Sequence, residues 1–142
     1  MTALSNMPAQ AMLPLGAYDL DDLLRNASRS SQRVLRADFA GVLDKDGVMA
    51  RIGESFALPA YFGGNLDALY DCLTDLQPST GADQPGFVVS LQGLPATHGF
   101  DRDKRDAVLD VFREAADFFY DKGVAFRVFY SVTEPRAART AA

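Results

Sequence analysis

The sequence predicts an α/β fold in which a three-stranded parallel sheet has helices packed against it. Some segments alternate apolar with polar residues, which is typical of strands, while others repeat apolar residues every three or four positions, which is typical of helices. These segments follow one another as strand, helix, helix, strand, helix, strand. Strands that are separated by helical crossovers pair in parallel with right-handed connections.

The N-terminal residues 1–32 are expected to form an extension that is only partly ordered. Residues 1–16 are rich in Ala, Met and Pro and show no clear period, so they predict a mobile lead-in. A short amphipathic turn of helix follows, in which Leu20 and Leu23 lie on the apolar side. The Ser- and Arg-rich stretch 28–32 is interpreted as a connector.

The domain itself is expected to span residues 33–133. Its first strand starts at Val34, where the period-two alternation begins, and Gly41 ends it. Asp44 is a good N-cap for the first helix, which Pro59 prevents from continuing.

The second helix is expected to begin at Asn65, another good N-cap, and to run to about Leu76. After a polar loop at 78–85, the apolar run 87–91 predicts a buried strand.

The remaining elements lie in the last third of the chain. Apolar residues at helical spacing between Val108 and Phe119 predict a third helix, which Gly123 ends. In residues 124–132 enough of both alternating sets of positions is apolar to indicate a strand covered on both faces. Residues 134–142 are expected to form a frayed tail.

The charge of the chain restricts its partners. The formal net charge is -5, and both nucleic acids and anionic membranes attract cationic rather than acidic surfaces. We therefore expect a basic protein partner, with no direct nucleic-acid or membrane binding. The spacing of Gly63 and Gly64 does not match a dinucleotide or phosphate-binding fingerprint. No cofactor is expected, and the lone His98 makes a poor case for a metal site.

Cysteine usage favours a reducing compartment. Cys72 is the only cysteine, and within a helix it is expected to pack as a small buried hydrophobe. The N-terminal residues lack the pattern of an export signal, because the first basic residue is Arg25. The expected location is the cytoplasm.

The second helix has two chemically different sides. At 100 degrees per residue, Asp67 and Asp71 lie together on one side and an apolar set lies on the other. That apolar set consists of Leu66, Leu69, Leu73 and Leu76. No lysine or arginine occurs from residue 61 to residue 76. Tyr70 lies at the border, where its ring can support the edge of the core or stand beside the carboxylates.

Two interpretations of this helix follow from the residues alone. An acidic face is commonly just a solvated surface. The preceding loop 61–65 favours binding, because it combines tyrosine, which is frequent at binding hot spots, with glycines that permit close approach. Catalysis is disfavoured, since Asp67 and Asp71 on adjacent turns make a face rather than a cleft.

The run Leu58-Pro59-Ala60-Tyr61-Phe62-Gly63-Gly64-Asn65-Leu66-Asp67-Ala68-Leu69-Tyr70-Asp71-Cys72-Leu73-Thr74 strongly resembles the signature of the barstar family of ribonuclease inhibitors. Residues 108–115 resemble a later helix of the same family. The resemblance covers residues 34–132 and implies a barstar-like fold. It implies a non-enzymatic inhibitor that blocks a guanine-specific, barnase-type ribonuclease with an acidic helix and the preceding loop.

The resemblance also implies the residues that contact the partner. Asp71 takes the role of mimicking a substrate phosphate, and Asp67 is a second acidic contact. The full set implied or expected at the interface is Tyr61, Gly63, Asn65, Leu66, Asp67, Tyr70, Asp71, Thr74 and Glu114.

Three positions depart from the family pattern. Tyr70 and Leu76 stand where the family has tryptophan, and Gly64 stands where it has an acidic residue. These changes bear on which partner is bound. The alternative hypothesis is a barstar-like module for another basic protein, such as a toxin without ribonuclease activity or a regulatory partner.

Overall fold

Four parallel strands form the sheet in the computed structural model, which describes residue 4 and residues 7–59 and 62–133. Four α-helices and one short 3-10 turn accompany them. In chain order the elements are β1 (Gln10–Pro14), the 3-10 turn (Leu15–Ala17), α1 (Leu20–Arg29), β2 (Arg33–Asp38), α2 (Lys45–Ser55), α3 (Leu66–Thr74), β3 (Gly86–Leu94), α4 (Arg102–Asp121) and β4 (Ala125–Val132). The predicted α/β class with helices packed on a parallel sheet is confirmed.

The number of strands is corrected from three to four. β1 pairs in parallel with β4, with Gln10 opposite Phe126 and Pro14 opposite Tyr130. The N–H of Phe126 also donates to the carbonyl of Ala9 at 2.7 Å. The added strand lies in the segment for which a mobile lead-in was predicted. It is an edge strand, which is the position in a sheet that tolerates a proline such as Pro14.

The sheet has the order β1-β4-β3-β2. The central strands β3 and β4 are buried along most of their length, which explains why their sequences are apolar at successive positions. The two edges of the sheet are β1 and β2.

Helices cover both faces of the sheet. Val89 and Val128 belong to the larger core cluster, which also takes in Leu69 of α3 and buried residues of α2 and α4. Their strand neighbour Val88 belongs instead to a smaller cluster with Leu23 of α1. Since successive side chains of a strand point to opposite faces, α1 lies on one face and α2, α3 and α4 lie on the other.

Each of the last three helices begins at a capping side chain. Asp44 accepts the N–H of Gly47 at 2.8 Å, as the sequence predicts, and Asp101 accepts the N–H of Lys104 at 3.1 Å. These caps satisfy N–H groups that have no partner within the helix. None of the helices within the described residues combines the length and the apolar character needed to span a membrane.

Candidate functional site

Helix α3 presents its two faces to different environments. Leu69, Cys72 and Leu73 are buried in the molecule, whereas Asp67 and Asp71 are exposed. The amphipathic pattern expected for this helix is therefore realised, with the apolar side against the core. The acidic side is free to meet another molecule.

The start of α3 is fixed by Asn65. The Oδ1 atom of this residue accepts the N–H of Ala68 at 2.7 Å, which makes Asn65 the N-cap that the sequence predicts. Gly64, immediately before it, has φ +74°, in the left-handed region that glycine adopts without strain. This backbone conformation gives a physical reason for the glycine at a position where the family pattern has an acidic residue.

The loop before α3 is anchored on α2 by Phe62. A Cβ added to Gly53 would lie 2.9 Å from Cδ2 of Phe62, so the ring rests directly on the glycine. Phe62 also donates its N–H to the carbonyl of Pro59 at 2.9 Å. Phe62 belongs to the loop 61–65 that the sequence marks as favouring binding, but nothing in the sequence indicates that Gly53 faces it. Gly63, which is exposed, follows this anchor, and Tyr61 lies outside the described residues.

The acidic face has no cationic partner in the described part of the chain. The salt bridges found there join residues of α1, or residues of α4 and its cap: Arg25 with Asp22, Arg102 with Asp106, Lys104 with Asp101, and Arg113 with Asp110. Neither Asp67 nor Asp71 takes part in any of them. Both carboxylates are therefore available for charge-assisted hydrogen bonds to a partner.

Cys72 lies on the buried side of the same helix. Its exposed fraction is 1%, and burial, with smaller contributions from the carboxylates of Asp75 and Asp71, raises the pKa of its thiol. A raised pKa keeps the thiol protonated and weakens it as a nucleophile. The environment therefore fits the packing role that the sequence predicts for this residue.

Tyr70 and Thr74 lie at the border of the acidic face. Tyr70 is half-buried and packs against the larger core cluster, so its ring supports the edge of the core, one of the two roles left open above. The Thr74 hydroxyl donates to the carbonyl of Tyr70 at 2.9 Å. Both side chains keep a partly accessible surface beside Asp71 and can extend a contact area there.

Helix α4 packs directly against α3. Glu114 is exposed on α4 and has no salt bridge within the described residues. A cavity of about 280 Å³ lies between the first turn of α3 and the first turns of α4. Leu66 contributes to its lining and also packs against the core. Glu114 therefore lies on α4, the helix that packs against α3, and Leu66 lies in the first turn of α3.

The acidic side of α3 does not have the geometry of a catalytic site. Asp67 and Asp71 lie on one exposed helical face, whereas general acid and base groups need to converge on a reacting atom. In the described residues, no group of three or more His, Cys, Asp or Glu side chains is placed to share a metal ion.

Fold and site together define a small α/β binding protein with an acidic helical face. A family model described as Barstar (barnase inhibitor) matches residues 32–131, which is well over half of the 142-residue chain. The chain therefore belongs to the barstar family. The elements β1 and α1 precede the matched residues.

Family membership confirms two of the sequence-based predictions. The resemblance to barstar proteins is confirmed, and so is the prediction that the chain is not an enzyme, because proteins of this family are inhibitors. Membership supports a barnase-inhibitor-like role and a ribonuclease-type protein partner. The assignment of individual residues to the interface stays a prediction.

Proposed function

We propose that this protein inhibits a guanine-specific ribonuclease of the barnase type by covering the enzyme's active site with α3 and the loop before it. The observation that carries the proposal is the exposed pair Asp67 and Asp71, which has no cationic partner among the described residues. An acidic face of this kind is complementary to an active site that binds the phosphates of RNA.

The chemistry of the target explains why carboxylates are needed. Ribonucleases of this type hold arginine, lysine and histidine side chains around the substrate phosphate. Covering these cations with an uncharged surface would remove them from water without compensation, which is costly. In the proposal, Asp71 takes the place of the phosphate and Asp67 provides a second carboxylate one helical turn earlier.

The fold supports the proposal by holding these groups in position before binding. Asn65 fixes the first turn of α3, and Phe62 anchors the preceding loop. On the core-facing side of α3, Leu69 and Leu73 are fully buried. A surface that is already ordered loses less conformational entropy on association. The acidic face can therefore bind without rearranging.

The proposed interface extends beyond the two aspartates. Tyr61, Gly63, Asn65 and Leu66 contribute from the loop and the first turn, and Tyr70 and Thr74 contribute from the border of the face. Glu114 contributes from α4. We also propose that the protein acts in the cytoplasm, which the buried, unpaired thiol of Cys72 supports because such a thiol suits a reducing compartment.

The test is a titration of the purified protein into an activity assay of a guanine-specific, barnase-type ribonuclease. The proposal predicts that activity falls to zero as the inhibitor approaches one equivalent, while a ribonuclease of unrelated fold remains fully active. Undiminished activity of several guanine-specific enzymes at excess inhibitor would contradict the proposal and favour a different basic partner.

A further inference from the structure

A polar cavity lies at the amino ends of β2, β3 and β4, away from the acidic face. Its volume of about 440 Å³ is within the usual size range of small-molecule sites. Its polar lining includes Arg29, Ser30, Ser31, Gln32, Asp83 and Arg127. None of its lining residues belongs to α3 or α4, so the cavity is separate from the acidic face.

Arg127 gives this cavity a buried positive charge. Its exposed fraction is only 6%. The guanidinium donates from Nε to the carbonyl of Pro8 at 3.1 Å and from Nη2 to the carbonyl of Met7 at 3.4 Å. No carboxylate of the described residues lies within salt-bridge distance of it, and burial lowers its pKa. A buried charge without a counter-ion is costly, so an anion bound beside Arg127 would be stabilised.

Gln32 holds the wall of the cavity in place. Its Nε2 donates to the carbonyl of Gln84 at 2.8 Å and thereby ties the end of α1 to the loop before β3. The amide fits only because residue 86 is glycine, since a Cβ there would lie 2.2 Å from Oε1 of Gln32. This Oε1 is buried and has no hydrogen-bond partner among the described residues. Because Oε1 can only accept a hydrogen bond, Gln32 shapes this wall, and the contacts with an anion fall to the donors in the lining.

The rim of the cavity is formed by the end of α1. Ser31 has φ +54°, and the N–H of the next residue, Gln32, donates to the carbonyl of Ala27 at 2.9 Å. This left-handed turn is a common way for a helix to end, and it places Ser30 and Ser31 in the lining of the cavity. Ser30 and Ser31 are both exposed, and serine hydroxyls can donate hydrogen bonds to an oxyanion.

We propose that this cavity binds a phosphate-type oxyanion, either free or as the phosphoryl group of a small metabolite. Arg127 is the principal contact, and Arg29 with the hydroxyls of Ser30 and Ser31 completes the site at the rim. Asp83 is the carboxylate in the lining, so two arginines and one aspartate leave a net charge of only +1. That balance favours a monophosphate over a polyphosphate.

The test is a titration of the ¹⁵N-labelled protein, followed by NMR, with inorganic phosphate and in parallel with ribose 5-phosphate. Sodium chloride at equal ionic strength is the control. We expect saturable shifts of the Arg127 Nε–H and Ser31 N–H signals, with the Asp71 N–H signal unmoved. Equal affinity for the two probes identifies free phosphate as sufficient, and tighter binding of ribose 5-phosphate identifies a metabolite.

Variants make the test decisive. Arg127→Met is expected to weaken binding at least tenfold, and Asp83→Asn to strengthen it about threefold because a repelling charge is removed. Arg113→Met, which changes an exposed arginine of α4, is the matched control and should bind like the wild type. The proposal is overturned if neither probe gives saturable shifts up to about 10 mM. It is also overturned if Asp83→Asn fails to strengthen binding. Both outcomes can be measured even if Arg127→Met does not fold.

Discussion

Asp67 and Asp71 lie one turn apart on the exposed face of α3, and neither carboxylate has a cationic partner in the described part of the chain. Like charges at this spacing cost an isolated helix about 0.2 to 0.5 kcal/mol. Asp67 lies in the first turn, where the helix dipole offsets part of this cost, but Asp71 lies beyond its reach. The electrostatic energy of the two carboxylates is therefore slightly unfavourable in the free protein and becomes favourable when a basic partner binds.

The N-cap of α3 makes a measurable contribution to stability. Asn65→Ala removes the hydrogen bond that the side chain accepts from the N–H of Ala68, so we expect the free energy of unfolding to fall by about 1 kcal/mol. Urea unfolding measures this change. Asn65→Asp keeps an acceptor at the same place and should stay close to the wild type. Equal losses in the two variants would show that capping is not the cause.

The contact between Gly53 and Phe62 can be tested by a double-mutant cycle. Gly53→Ala would normally stabilise a helix interior by about 1 kcal/mol, but the new Cβ would clash with the Phe62 ring. We expect little or no stabilisation in the wild-type background and about 1 kcal/mol in a Phe62→Ala background. The same change in both backgrounds would rule out the contact.

The contribution of Cys72 to the free energy of unfolding is expected to depend on pH in the alkaline range. Because burial raises the pKa of its thiol above the value in the unfolded chain, the contribution of the neutral thiol to stability is complete below the ordinary thiol pKa of about 8.5. It is lost as the pH rises through the higher pKa of the folded protein. In urea unfolding we expect the stability difference between the wild type and Cys72→Ala to be constant at neutral pH and to shrink as the pH rises above about 8.5. A difference independent of pH would contradict this environment for the thiol.

Salt should affect how fast the complex forms. The screening length falls from about 8 Å at physiological ionic strength to about 3 Å at 1 M, so attraction between the acidic face and a basic enzyme weakens. We expect the association rate constant, measured by stopped-flow mixing, to fall about tenfold or more over this range, with a smaller change in dissociation. The double variant Asp67→Ala/Asp71→Ala should show a flatter dependence. An association rate that does not respond to salt would exclude electrostatic steering by this face.

The sequence predicted the elements whose patterns are strong and local. Asn65 is a typical N-cap residue and the leucines of α3 repeat at helical spacing. In the structure Asn65 caps the helix, and Leu69 and Leu73 are buried on one side of it. β1 was missed because Gln10–Pro14 has five residues, ends in proline and has no alternating pattern. Its position is determined by pairing with β4, which is distant in the chain. The contact of Phe62 with Gly53 was missed for the same reason, since tertiary packing leaves no periodic signal.

The central claim is that Asp71 replaces a substrate phosphate in the ribonuclease active site. The most direct measurement is the inhibition constant of Asp71→Ala against a guanine-specific enzyme that the wild type inhibits. Asp21→Ala is the matched control, since Asp21 is exposed on α1, on the opposite face of the sheet. Barnase and barstar are the reference case for strongly coupled charges at such an interface, and the expected magnitude is carried over from that pair. The account predicts that Asp71→Ala raises the inhibition constant about 30-fold or more, while its free energy of unfolding stays within about 0.5 kcal/mol of the wild type. Asp21→Ala is expected to leave the inhibition constant unchanged. Equal inhibition by the wild type and Asp71→Ala would contradict the account.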